Sequence, residues 1–301
     1  MDTAAAEITN NKMLGWRMRI GAFVELTKPR IAFMLLLTSA AGFYLGTPGA
    51  FNFVLFLNAM IGIGLLAFGV ATLNQYVERV TDALMDRTKN RPLPSSRLTP
   101  AEALIFGLVQ CAVAEIYLFF LVNPLTAGLG LVVIVGYVLM YTPLKTRTSA
   151  STAIGAIPGA MPPLMGWTAS ANEVTLGGWA LFIMLFLWQF PHFLAIAWMY
   201  REQYAKAGIL MLPVVEPSGR ITARQIVLFA IMLVPASLAP FFLGFAGIVY
   251  LIGATILGIW FLVESISTAR AKTVEKARRL LMVSVLYLPL IFGLLVIDHL
   301  K

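Results

Sequence analysis

Stretches of about 20 mostly uncharged residues recur along this chain, each long enough to cross roughly 30 Å of hydrocarbon as a helix. The pattern argues against a β-barrel, because barrel strands alternate with period two and these runs are continuously apolar. Only 12% of the 301 residues are charged, against about 25% in a soluble domain. The expected fold is all-α: a polytopic membrane protein of nine transmembrane helices. The spans lie near Ile31–Leu45, Val54–Asn74, Ala103–Leu121, Leu125–Tyr141, Ser151–Ser170, Trp179–Tyr200, Ile226–Leu243, Ile248–Ser265 and Leu280–Ile297. Residues 1–30 form an N-terminal segment and residues 31–301 one transmembrane domain. The single cysteine, Cys111, lies inside a span, so disulfides contribute nothing.

The net charge of +8 raises nucleic acid binding, but its distribution argues against it. Counting connections alternately from the N-terminus, 21 of the 22 Lys and Arg residues fall on one side, with Lys301 alone on the other. The positive-inside rule puts that side, with the N-terminus, in the cytoplasm. Basic charge then serves topology and contact with membrane lipids. Residues 1–28 are polar, without the central apolar run of a cleavable signal. Asp2 and Glu7 weigh against an organellar transit peptide, so a bacterial inner membrane is expected.

The chemistry sits in the connections on the basic side. Asn74, Glu78, Asp82 and Asp86 are spaced by four. On a helix, successive members of such a series share a face and drift by about 40°. Asn74, Glu78 and Asp82 therefore converge, and Asp86 sits at the rim. Carboxylates at this spacing repel. A magnesium ion, which binds through one or two carboxylates plus substrate phosphates, offsets that. Arg79, Arg87, Lys89 and Arg91 follow closely, ready to grip phosphate oxygens. Acids and cations at a helix end on the membrane surface suit a lipid diphosphate. The competing reading is a solvated loop whose charges merely pair. Asn74 favours the site, because a polar side chain at the membrane edge needs a reason.

Lys145 and Arg147 face the same compartment and are further diphosphate-side cations. In the fifth span, Ser151, Gly155 and Gly159 form a small-residue stripe for close packing. Pro158, Pro162 and Pro163 remove backbone donors there, which is tolerated where the break is buried in protein or lines a cavity. Pro191 marks a weaker break in the sixth span. His192 lies within that span, which makes it a functional candidate. Glu115 and Glu264 also lie at membrane depth and receive no role. A transporter is the rival of a different class, since broken helices and buried polar groups occur there too.

The pattern Asn74-x3-Glu78-x3-Asp82, followed by Arg87-Thr88-x2-Arg91-Pro92-Leu93, resembles the first aspartate-rich motif of the UbiA superfamily of intramembrane prenyltransferases. Tyr141 to Lys145, Gly159 to Trp167, Trp188 to Phe193 and Met211 to Pro213 resemble its heme-prenylating members. The resemblance implies a UbiA-like helical bundle, with farnesyl diphosphate and heme b as substrates, heme O as product and Mg2+ as cofactor. It implies Asn74, Glu78 and Asp82 as the catalytic magnesium–diphosphate site, with Arg87, Arg91, Lys145 and Arg147 on diphosphate oxygens. In the second acidic motif, Glu202 and Gln203 stand where two acids are usual, so Glu202 is the only carboxylate carried over as a metal ligand. His192 is assigned to the acceptor. Heme A synthase or cytochrome oxidase assembly proteins are implied as partners, and nucleic acid is not. A quinone precursor or another tetrapyrrole remains the alternative acceptor.

Overall fold

The computed structural model describes residues 15–300; Asp2, Glu7, Lys12 and Lys301, used in the charge argument, lie outside the described residues. Among the described residues, eight helices are long and apolar enough to cross a membrane: Pro29–Gly46, Phe53–Ala83, Pro100–Leu121, Pro124–Leu144, Leu176–Met199, Arg220–Phe242, Ile248–Ala271 and Val274–Ile297. Between the fourth and fifth of these lie two half-helices, Ser151–Gly159 and Met161–Ala171. In chain order these make nine spans, of which the fifth is broken. The protein is an all-α, multi-pass membrane protein.

The break falls at Ala160, between Pro158 and the Pro162–Pro163 pair. It is sealed inside protein: Ala160 is fully buried, and its N–H still reaches the Ala156 carbonyl at 3.0 Å. Backbones meet directly here. A Cβ on Gly42 would strike the Pro163 carbonyl oxygen, and one on Gly166 would strike that of Ser39. The expected small-residue stripe works the same way, with Gly155 under the Tyr141 ring and Gly159 against the Gln189 amide. The sixth helix, by contrast, runs through Pro191 unbroken.

Two differences from expectation shape the site. The second span was expected to end at Asn74, but its helix continues to Ala83. Its 31 residues rise about 46 Å, more than the roughly 30 Å of hydrocarbon. The helix is thus longer than a span requires, and Glu78 and Asp82 lie on its last two turns. The fourth span was expected to end at Tyr141, but it passes through a π-helical turn, Val135–Tyr141, and continues to Leu144. Such turns are rare and often found at functional sites.

Two apolar cores are the largest of five in the interior. One gathers Leu66, Leu73, Leu118 and Met165 from spans two to five. The other gathers Leu181, Tyr250, Phe261, Tyr287 and Phe292 from spans six to nine. The connections 84–99, 145–150 and 200–219 gather at one end of the bundle, where Trp198 also bonds the Lys272 carbonyl. At the other end, the turn around Phe245 meets His299.

Candidate active site

Asn74, Glu78 and Asp82 share one face of the second helix, as their spacing requires. Asn74 and Asp82 are each 1% exposed. Each side chain meets a cation from a different segment. Lys28 Nζ donates to Asn74 Oδ1 at 2.8 Å. Lys145 forms an ion pair with Glu78. Arg91 Nη1 donates to Asp82 Oδ2 at 2.7 Å. Buried charges persist only when paired and hydrogen-bonded: Glu78 and Asp82 each have one cationic partner, while the Lys28 ammonium is held by a neutral amide.

Local structure aims each cation. Lys28 precedes Pro29 with φ 49 and ψ 60, a left-handed conformation for a non-glycine residue. That strain costs on the order of 1–3 kcal/mol and survives only where neighbours impose it. Gln75 does so: its Nε2 donates to the Glu25 and Leu26 carbonyls at 3.2 and 3.0 Å, tying the chain ahead of Lys28 to the second span. Burial lowers the Lys28 ammonium to about 8, Arg91 adds to the effect, and the Glu78 carboxylate opposes it.

Lys145 follows the π-turn. Thr142 Oγ1 donates to the Tyr137 carbonyl at 2.7 Å and accepts from Asn74 Nδ2 at 3.2 Å, so the acidic helix and the π-turn are joined. Lys145 Nζ lies 4.3 Å from the Tyr141 ring centroid. Burial works against its charge, but the Glu78 carboxylate overrides that and lifts the ammonium well above its ordinary value. Asp82 also organises the loop after it, since Thr88 Oγ1 donates to its carbonyl at 2.8 Å.

Arg87 reaches toward the third connection. Its Nη2 donates to the Tyr204 hydroxyl at 3.1 Å, its backbone N–H donates to Gln203 Oε1 at 3.3 Å, and its guanidinium lies 5.0 Å from the Tyr200 ring centroid. Leu210 N–H donates to the Lys145 carbonyl at 2.7 Å, which closes the ring of connections.

The other expected site residues stand further out. Arg147 is exposed and makes no side-chain hydrogen bond among the described residues. Glu202 is exposed on the short helix Arg201–Lys206, while its neighbour Gln203 faces Arg87. Asp86 sits at the rim as expected, paired with Lys89 at 2.7 Å. His192 lies seven residues before the end of its helix, about 10 Å deeper than that end. Glu264 pairs with Arg279 at 2.5 Å. Glu115 sits against Gly130, with Oε1 buried and unpartnered.

Lys28, Thr142, Tyr141, Gln203 and Tyr204 were not singled out from the sequence for the site. The sequence shows Lys28 only as one of several basic residues at the entry to the first span, and the preference of a residue before proline for extended backbone points away from the left-handed conformation it adopts.

Among the described residues, no three His, Cys, Asp or Glu side chains cluster as a metal site. The available donors are two carboxylates and an amide oxygen, all hard. That set is too small for a resident structural ion. It fits magnesium arriving with a diphosphate, since magnesium keeps waters and takes phosphate oxygens.

The family model described as "UbiA prenyltransferase family" matches residues 35–288. Protoheme IX farnesyltransferase of Solibacter usitatus (strain Ellin6076) is 50% identical over 286 residues, covering 92% of this chain and 98% of that protein. Among solved structures, one of digeranylgeranylglyceryl phosphate synthase superposes with TM-score 0.79 at 16% identity, covering 93% of this chain and 98% of that one. A UbiA homolog from Archaeoglobus fulgidus bound to GPP and Mg2+ superposes with TM-score 0.65 at 18% identity, covering 91% and 99%. At those identities the structures establish the shared fold.

Proposed function

The chain belongs to the UbiA prenyltransferase family, and from that premise we propose that it transfers the farnesyl group of farnesyl diphosphate to a vinyl group of heme b, giving heme O and diphosphate. The relative that is 50% identical and named protoheme IX farnesyltransferase supports the choice of substrates. The observation that carries the chemistry is the one-to-one pairing of Asn74, Glu78 and Asp82 with Lys28, Lys145 and Arg91.

Those pairs exchange partners when substrate arrives. The cations turn to the incoming phosphate oxygens, and the released carboxylates of Glu78 and Asp82, with Asn74, would hold magnesium. Magnesium, when bound, stabilises charge on the departing diphosphate. Lys28, Lys145 and Arg91 stabilise the same charge as the allylic carbon–oxygen bond breaks and its electron pair leaves with diphosphate. Arg87, braced by Tyr204 and Gln203, holds a further oxygen at the loop. Arg147 and Glu202 take outer positions, toward the diphosphate and the metal respectively.

The farnesyl carbon then bonds to the vinyl group of heme. Water adds to the cation left beside the porphyrin and gives up a proton, which accounts for the hydroxyl of heme O. The apolar cores keep water from the first cation. His192 contacts the acceptor deeper in the bundle. The segregation of 21 of 22 basic residues supports a cytoplasmic site in a bacterial inner membrane.

The test is product formation by purified protein given farnesyl diphosphate, magnesium and either heme b or an aromatic acid. The expected result is prenylated heme. Prenylation of the aromatic acid alone overturns the choice of acceptor.

A further inference from the structure

His192 lies on the sixth span beside Ser284 of the ninth, and the hydrogen bonds between them determine which ring nitrogen is free. His192 Nδ1 and Ser284 Oγ are 2.7 Å apart. Ser284 is fully buried, and its Oγ donates to the Leu281 carbonyl at 2.6 Å. A hydroxyl has one proton. If that proton went to His192 instead, the Ser284 and Leu281 oxygens would face each other at 2.6 Å with no hydrogen between them. The serine proton therefore stays on Leu281, and Ser284 Oγ accepts from His192. In the neutral ring Nδ1 carries the hydrogen and Nε2 carries an open lone pair.

The ring is also fixed in orientation. It stacks on the Trp188 indole, with centroids 4.5 Å apart and planes 23° apart. Trp188 Nε1 in turn donates to the Ser284 backbone carbonyl at 2.9 Å. One residue of the ninth span thus anchors both rings of the sixth. His192 Nε2 has no hydrogen bond among the described residues, yet it is not among the buried atoms left without a partner. The atom therefore keeps some accessible surface. A histidine that donates through Nδ1 and presents Nε2 has the arrangement of a metal-binding imidazole, in which the far hydrogen bond fixes the tautomer and raises basicity.

We propose that Ser284 is a positioning residue that holds His192 as the Nδ1–H tautomer, so that Nε2 coordinates the iron of a metalloporphyrin acceptor. This rests on the heme reading given above and adds to it a named iron ligand and the group that orients it. No covalent chemistry occurs at His192. Coordination leaves the iron tethered while a vinyl group at the porphyrin edge is free to meet the farnesyl carbon.

The experiment titrates the purified full-length protein with heme b and, separately, with iron-free protoporphyrin IX. Binding and the heme absorption spectrum are followed for wild type, Ser284→Ala, Ser284→Thr and His192→Ala. The expected wild-type result is an imidazole-ligated heme spectrum. His192→Ala loses that spectrum and regains it with added imidazole. Ser284→Ala weakens heme binding by about 10–100-fold, the usual effect of removing the group behind a metal-binding histidine. Ser284→Thr restores it, and none of the variants alters binding of the iron-free porphyrin.

Equal losses for heme and iron-free porphyrin in Ser284→Ala would mean a packing role only and overturn the proposal. So would an unchanged heme spectrum in His192→Ala. Failure of wild type to bind or prenylate heme at all would instead remove the underlying functional reading, so the two failures are distinguishable.

Discussion

The two ends of the bundle satisfy their polar groups in different ways. At the end away from the site, Asp298 Oδ2 accepts from the Tyr250 amide at 2.7 Å, and the Asp298 carbonyl accepts from Gly247 at 2.9 Å. His299 Nδ1 donates to the Phe245 carbonyl at 2.9 Å. Those side chains are answered by backbone. At the site end, Asn74, Glu78 and Asp82 are answered by the side chains of Lys28, Lys145 and Arg91. A backbone partner is fixed by the fold, whereas a lysine or arginine can turn to a better anion. The first arrangement locks structure. The second keeps charge assembled until a ligand takes it over. Asp298 illustrates the first: it places a carboxylate at the start of the eighth span, where the helix dipole favours negative charge.

Substitutions at the two ends separate these roles. The largest effect is expected at Asp82. Asp82→Asn keeps the shape but removes the charge that faces Arg91, and turnover of farnesyl diphosphate falls about 10²–10³-fold, in line with losing one preorganised electrostatic group. Steady-state heme O formation, with a melting curve to establish that the variant is folded, measures this. Next come the cations. Lys28→Met and Lys145→Met each remove a charge-assisted hydrogen bond, and kcat/KM falls about 10–100-fold. Lys28 is the sharper case, because the sequence reading did not include it.

At the opposite end, Asp298→Ala removes a helix cap and costs about 1 kcal/mol, seen as a lowered Tm with kcat unchanged. The smallest effect is at Arg147. It is exposed and makes no side-chain hydrogen bond among the described residues, so Arg147→Ala changes kcat/KM by less than about threefold, the scale of a solvated surface charge. A large loss there would move the diphosphate outward and blur the contrast between the two ends.

The pattern of what the sequence revealed follows from the range of the forces involved. Spans are local, so hydrophobic runs located all nine. The Asn74, Glu78 and Asp82 face is also local, since a period of four on one helix needs no tertiary information. The break in span five was written in its prolines, while Pro191, read as a weaker break, leaves the sixth helix unbroken. The difference is that three prolines fall within six residues of the fifth span, while the sixth has one. The pairing of Lys28 with Asn74 is non-local, spanning 46 residues, and it depends on the left-handed backbone at Lys28. The π-turn at Val135–Tyr141, which aims Lys145, has no sequence signature comparable to proline. Gln203 and Glu202 were not separable by composition; only the helix Arg201–Lys206 turns one toward Arg87 and leaves the other exposed.

Glu78 and Asp82 would together hold magnesium while the cations they release take diphosphate. The decisive measurement is the affinity of purified protein for an unreactive farnesyl diphosphate analogue, with and without magnesium. Magnesium is expected to tighten binding in wild type, and the Glu78→Gln, Asp82→Asn double variant, still folded, to lose that dependence. Equal magnesium dependence in wild type and the double variant would rule out these two carboxylates as the metal site.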